Sequence, residues 1–119
     1  MKKHLTRANY SRRIKMYNRI TDVLELRYSE LSKIYYHYGV ESQLIKTVEE
    51  LSELQKEICK LITDDYLDKE HFIEELADVI IMLAQIMPAN VLLSDVAEVI
   101  SRKIDRTLKR ISNDTEKED

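Results

Sequence analysis

Four acids have the types and spacing to do chemistry. Glu50 and Glu53 stand three residues apart, as do Glu75 and Asp78. On a helix that spacing sets both members of a pair on one face. Like charges crowded beside an apolar stripe repel, and a hard cation between two such helices would offset the repulsion. Four carboxylates supply only oxygen ligands, with no thiolate and no required imidazole. Such a set selects Mg²⁺, with Mn²⁺ able to substitute, over zinc. Mg²⁺ keeps waters and shares its shell with substrate phosphates, so the pattern points to phosphate chemistry. A di-iron bundle would want Glu-x-x-His pairs, and neither Glu53 nor Asp78 is a histidine. Surface acids on solvated helices are the plain alternative, because Glu is a good helix former.

These acids need two helices to carry them. Gly and Pro occur once each, at Gly39 and Pro88, so long helices with few turns are expected. The spacing predicts a first long helix from about Asn9 to Tyr38. Ile14, Tyr17, Thr21, Leu24, Tyr28, Leu31, Tyr35 and Tyr38 form its heptad-like seam, and Gly39 ends it. A second helix is expected over 41–63, with an apolar stripe of Leu44, Val48, Leu51, Ile58 and Ile62. Glu50 and Glu53 border that stripe beside Gln43, Lys46 and Glu57, while Glu49 points roughly 100° away from Glu50. Residues 64–67 read as a loop, and Asp68 as the N-cap of a third helix that stops at Pro88. Phe72, Leu76, Val79, Ile80, Leu83 and Ile86 form its buried stripe; Glu75 and Asp78 lie alongside, in line with His71, Met82 and Gln85. Ser94 is expected to cap a fourth helix running to about Ser112. That helix would bury Val96, Val99, Ile100, Ile104, Leu108 and Ile111 and carry Lys103, Arg106 and Arg110 on its other face. The whole is an all-α bundle of four to five helices, a single domain over 1–119, with 1–8 and 113–119 expected to be disordered.

Composition narrows the setting. The 119 residues suffice for one modest core. Cys59, alone, cannot form an internal disulfide and reads as a small core residue in a cytoplasmic protein. No apolar run is long enough to span a bilayer. The net charge of −3 is unevenly spread. Residues 1–19 carry seven basic residues and no acid, 40–98 carry fourteen acids against four lysines, and 102–110 are basic again. An acidic centre between basic ends suits a cation bound to a polyanion. A nucleic-acid arm over 1–19 ranks behind that, since no DNA-binding motif follows it.

Glu50-x-x-Glu53, a gap of 21 residues, then Glu75-x-x-Asp78 resembles the ExxE…ExxD signature of the all-α nucleoside triphosphate pyrophosphohydrolases, the MazG-like enzymes among them. The flanks match too: Tyr38-Gly39-x-x-x-Gln43-Leu44, Glu49-Glu50-Leu51-x-Glu53-Leu54 and Glu74-Glu75-Leu76-Ala77-Asp78-Val79. The likeness covers about residues 35–111. It implies Mg²⁺-dependent cleavage of a nucleoside triphosphate between the α- and β-phosphates, giving a monophosphate and pyrophosphate. Glu50, Glu53, Glu75 and Asp78 would hold the metal, and a metal-activated water would attack the α-phosphorus. Glu49 matches the first acid of the EExxE form and would orient or deprotonate that water. Lys103 and Arg110 fit the family's basic cluster, with Arg106 as an added phosphate contact; Thr107 stands where Asn is usual. A homodimer or homotetramer is implied, and the first-helix seam suits self-association. Lys46 and Gln43 are candidate phosphate and base contacts, and Tyr35, Tyr36 and Tyr38 candidate stacking residues. His71 reads as a polar helix residue near the acids, Met82 as core. A non-catalytic nucleotide-sensing or protein-interaction module on the same fold is the competing expectation.

Overall fold

A computed structural model of the chain describes residues 19–63 and 68–118. Among these residues five helices follow in order: α1 (Ile20–Leu26), α2 (Tyr28–Tyr38), α3 (Val40–Thr63), α4 (Lys69–Asn90) and α5 (Leu93–Glu118). No strand occurs among the described residues, so the protein is all-α. No single helix among them is long and apolar enough to cross a membrane.

The described part of the long first helix expected from the sequence, residues 20–38, is two helices. Arg27 departs from helical geometry at φ −108, ψ 18, yet the hydrogen-bond ladder runs on: its N–H donates to Val23 (3.0 Å) and its carbonyl accepts from Leu31 (3.0 Å). Its guanidinium forks onto Glu30 at 3.1 and 2.7 Å. Residues 9–18 and the expected loop 64–67 lie outside the described residues. Gly39 ends α2 as expected, at φ 97, a conformation that side chains resist. Its N–H donates to the Tyr35 carbonyl (3.1 Å) and its own carbonyl accepts from Gln43 N–H (3.1 Å), so one residue turns the chain into α3.

Asp68 caps α4 through Oδ1, which accepts from His71 N–H at 3.2 Å. The helix does not stop before Pro88 but runs to Asn90. Pro88 has no N–H to donate to the Ala84 carbonyl and its ring crowds that carbonyl, so the end of the helix is held by other bonds. The Asn90 side chain donates to the Ile86 carbonyl (2.6 Å), and Val91 N–H closes on Met87 (3.0 Å). Ser94 is not the cap of α5: the helix begins at Leu93, and the Leu92 carbonyl accepts from Asp95 and Val96. Nor does α5 end at Ser112. It continues to Glu118, because the charged residues that make 113–119 look disordered are also tolerable helix formers. Thr115 Oγ1 donates back to the Ile111 carbonyl at 2.9 Å.

Helices α2, α3 and α4 pack on one another, while α5 leaves α4 through a bend of 116° and makes only marginal contact with the rest. The core is small: Tyr35, Val79, Met82 and Ala84 are buried, and Phe72, Leu76, Ile80, Leu83 and Ile86 half-buried. The stripe expected on α4 therefore holds. The α3 stripe does not pack inward: Leu44, Val48, Leu51, Ile58 and Ile62 are exposed, and Cys59 with them. Gln43, Thr47 and Glu57 are buried instead. On α5, Ile100, Ile104, Leu108 and Ile111 are likewise uncovered, with Val96 and Val99 half-buried. The physical reason is shared: α3 turns its polar face to α4, and the described residues offer no second layer for the apolar faces.

Candidate metal and phosphate site

The α3–α4 seam is a polar ladder. Gln43 faces Gln85, Glu50 faces Asp78, Glu53 faces Glu75 and Glu57 faces His71. Each step along α3 is matched by an equal step back along α4, as antiparallel helices in fixed register require. The alternation of threes and fours that builds an apolar stripe here builds a stripe of acids and amides.

At its centre, carboxylate oxygens of Glu50, Glu75 and Asp78 lie within 4.8 Å of one another. Glu75 is 8 % exposed, Glu50 half-buried and Asp78 exposed. Glu50 Oε2 and Glu75 Oε2 are buried with no hydrogen-bond partner among the described residues. Leaving a buried acceptor unpaired is costly, more so for a charged one. Burial first, then the charges of Asp78 and Glu53, lift the Glu50 carboxyl above its ordinary pKa. Burial first, then Glu53, lifts Glu75 in the same direction. Glu57 moves the other way, chiefly because Lys60 Nζ donates to its Oε1 at 2.9 Å. His71 Nε2 stands 3.1 Å from that same oxygen and 3.7 Å from Glu75 Oε1, bridging α3 and α4 at the edge of the cluster.

Beside the acids opens a cavity of about 310 Å³, lined by Ile34, Tyr38, Gln43, Lys46, Glu50, Asp78, Ile81, Met82 and Gln85. It lies between three helices: Ile34 and Tyr38 come from α2, Gln43, Lys46 and Glu50 from α3, and the rest from the middle of α4. Of the three tyrosines, Tyr38 reaches it. Tyr35 is buried in the core, its ring edge-on to Tyr36 at 5.2 Å. Gln43 is buried too, and its Nε2 donates to Gln85 Oε1 at 2.7 Å.

The structure thus brings together Glu50, Glu53, Glu75, Asp78, Lys46 and Gln43. Glu49 lies exposed on α3, outside the cluster. Lys103, Arg106 and Arg110 are exposed on α5 and line no cavity with the acids. The sequence places Gln85 only in line with Glu75 and Asp78, with no role, and His71 only as a neighbour of the acids. The signal was present as a mirrored spacing: Gln43 to Glu50 repeats in reverse from Asp78 to Gln85, and Glu53 to Glu57 from His71 to Glu75.

The donor set fits a hard divalent cation. It is all oxygen, it converges, and two of its buried oxygens lack any partner among the described residues. No family model matches the chain, and no curated protein or solved structure matches it.

Proposed function

We propose that the protein is a divalent-metal-dependent nucleoside triphosphate pyrophosphohydrolase, cleaving its substrate between the α- and β-phosphates. The observation that carries this reading is the pair of unpartnered, buried oxygens on Glu50 and Glu75, set against Asp78 at the edge of a ligand-sized cavity. Glu50, Glu53, Glu75 and Asp78 would hold Mg²⁺ or Mn²⁺. When bound, such a cation neutralises phosphate oxygens and lowers the pKa of a coordinated water. The chain's own residues do the rest. Lys46, on the cavity wall, meets the negative charge of the polyphosphate. A carboxylate of the cluster takes the proton of the water that attacks the α-phosphorus. The bond from that phosphorus to the bridging oxygen breaks, and pyrophosphate leaves with the electron pair.

The uncovered faces of α3 and α5 support an assembly of two or four copies. In it, α5 of the partner subunit would bring Lys103, Arg106 and Arg110 to a polyphosphate that α5 of the same chain does not reach. Turnover is tested by incubating the protein with a panel of ribo- and deoxyribonucleoside triphosphates in Mg²⁺ or Mn²⁺ and measuring pyrophosphate. Product with at least one nucleotide is expected. Its loss in Glu53→Ala and Asp78→Ala, with far-ultraviolet dichroism unchanged, would tie turnover to the cluster. Binding without product from any nucleotide would instead identify a nucleotide sensor on the same fold.

A further inference from the structure

The cavity has two chemically different ends. One holds Glu50 and Asp78; the other holds the amide pair Gln43–Gln85. On each helix the amide lies seven residues from the acid, two turns, or about 10 Å along the axis. A sugar with its 5′ phosphate spans a comparable reach. A nucleotide whose phosphates lie at the acids therefore delivers its base to the amides.

Gln85 is the member that fixes what the amides present. Its Nε2 faces Met82 Sδ at 3.8 Å, while its Oε1 accepts from Gln43 Nε2 at 2.7 Å. A thioether sulfur accepts hydrogen bonds and cannot donate. Reversing Gln85 would turn a carbonyl onto that sulfur and an N–H onto the N–H of Gln43, losing both contacts. The sense of the chain Gln43 to Gln85 to Met82 is therefore set from the sulfur end. All three residues are buried, Gln43 and Gln85 at 4 % exposure. Gln43 Oε1 has no donor of its own among the described residues. A fixed acceptor beside a fixed donor reads a heterocycle edge, and a site built to hydrogen-bond discriminates far better than an apolar one. Tyr38, its ring exposed on the α2 wall, offers a flat face to the same space.

Resting on the pyrophosphohydrolase reading, we infer that this end of the cavity is the nucleobase subsite, and that Gln85, through Gln43 and Met82, determines which base is accepted. The test is kcat and KM for dATP, dGTP, dCTP and dTTP, measured with the full chain in Mg²⁺ as wild type, Gln85→Met and Met82→Leu. In the wild type, kcat/KM is expected to differ at least tenfold between the best and the worst base. Gln85→Met should compress that difference severalfold, through KM more than through kcat. Met82→Leu conserves volume, so it folds even if the glutamine variant does not. It frees the amide pair to reverse and should also compress the ranking. An unchanged ranking in Met82→Leu, or a wild type indifferent to the base, overturns the subsite while leaving pyrophosphate release intact. No pyrophosphate from any triphosphate sinks the enzymatic reading, and this inference with it.

Discussion

Replacing Val48 by Glu should split the assembly proposed above. Val48 is 64 % exposed within one chain, and its stripe neighbours Leu44, Leu51, Ile58 and Ile62 are 40, 44, 44 and 80 % exposed. Together they present roughly two and three-quarter whole apolar side chains, or about 4–8 kcal/mol if covered. Ile100, Ile104, Leu108 and Ile111, each between 54 and 58 % exposed, add about 3–7 kcal/mol on the same scale. Association costs about 4–15 kcal/mol in lost rigid-body freedom. Two copies covering the α3 stripe alone would only just exceed that cost; two copies covering both stripes exceed it clearly. A carboxylate placed in the α3 stripe of each copy loses the valine contact and must be desolvated without a partner. That is on the order of 4 kcal/mol for a symmetric pair, about a thousandfold in Kd. The fold itself should survive, since Val48 packs little within its own chain. Sedimentation velocity at micromolar concentration reads the outcome: an oligomeric wild type and a monomeric Val48→Glu with equal helicity. A monomeric wild type, or a variant that still assembles, refutes the reasoning.

Two further outcomes follow from the site and its frame. The raised carboxyls of Glu50 and Glu75 hold protons more tightly folded than unfolded, so their contribution is fully present below the unfolded pKa and is lost as pH rises through the folded one. In chelator, Glu75→Gln should therefore melt above the wild type at pH 7, and the gap should close in acid below the unfolded carboxyl range. Saturating Mg²⁺ should reverse the order; Glu57, shifted downward, runs oppositely and is common to both proteins. A wild type that melts above Glu75→Gln in chelator at pH 7 would show that the cluster is not repulsive. Asp68→Ala removes the acceptor for His71 N–H and should cost about 1 kcal/mol in urea denaturation. No measurable change would mean that the α4 cap contributes nothing.

Helix types, the Gly39 stop, the Asp68 cap and the convergence of the acids were all legible, because each depends on residues close together along one or two helices. The direction in which α3 faces was not. Leu44, Val48 and Leu51 predict an inward stripe by periodicity, and periodicity cannot say whether a stripe meets its own chain or another. The burial of Gln43 and Glu57 wins that face for the ladder. Pro88 shows a different limit: a breaker read from composition need not end a helix where bonds such as Asn90 to Ile86 and Val91 to Met87 carry the chain past it. The basic face of α5 was legible as charge but not as position, since its place depends on the 116° bend after α4.

The matched steps of the α3–α4 ladder constrain how this protein can change length. One residue inserted in α3 between Gln43 and Glu57 rotates everything beyond it by about 100° and slides it about 1.5 Å. The rungs on one side of the insertion would then face the wrong neighbours, whichever side the packing chose to keep. The acids and amides therefore count one another across the seam. Additions or losses are tolerable outside the Glu57–His71 rung, or as whole turns made in both helices at once. Within the ladder, spacing is as much a part of the chemistry as residue type.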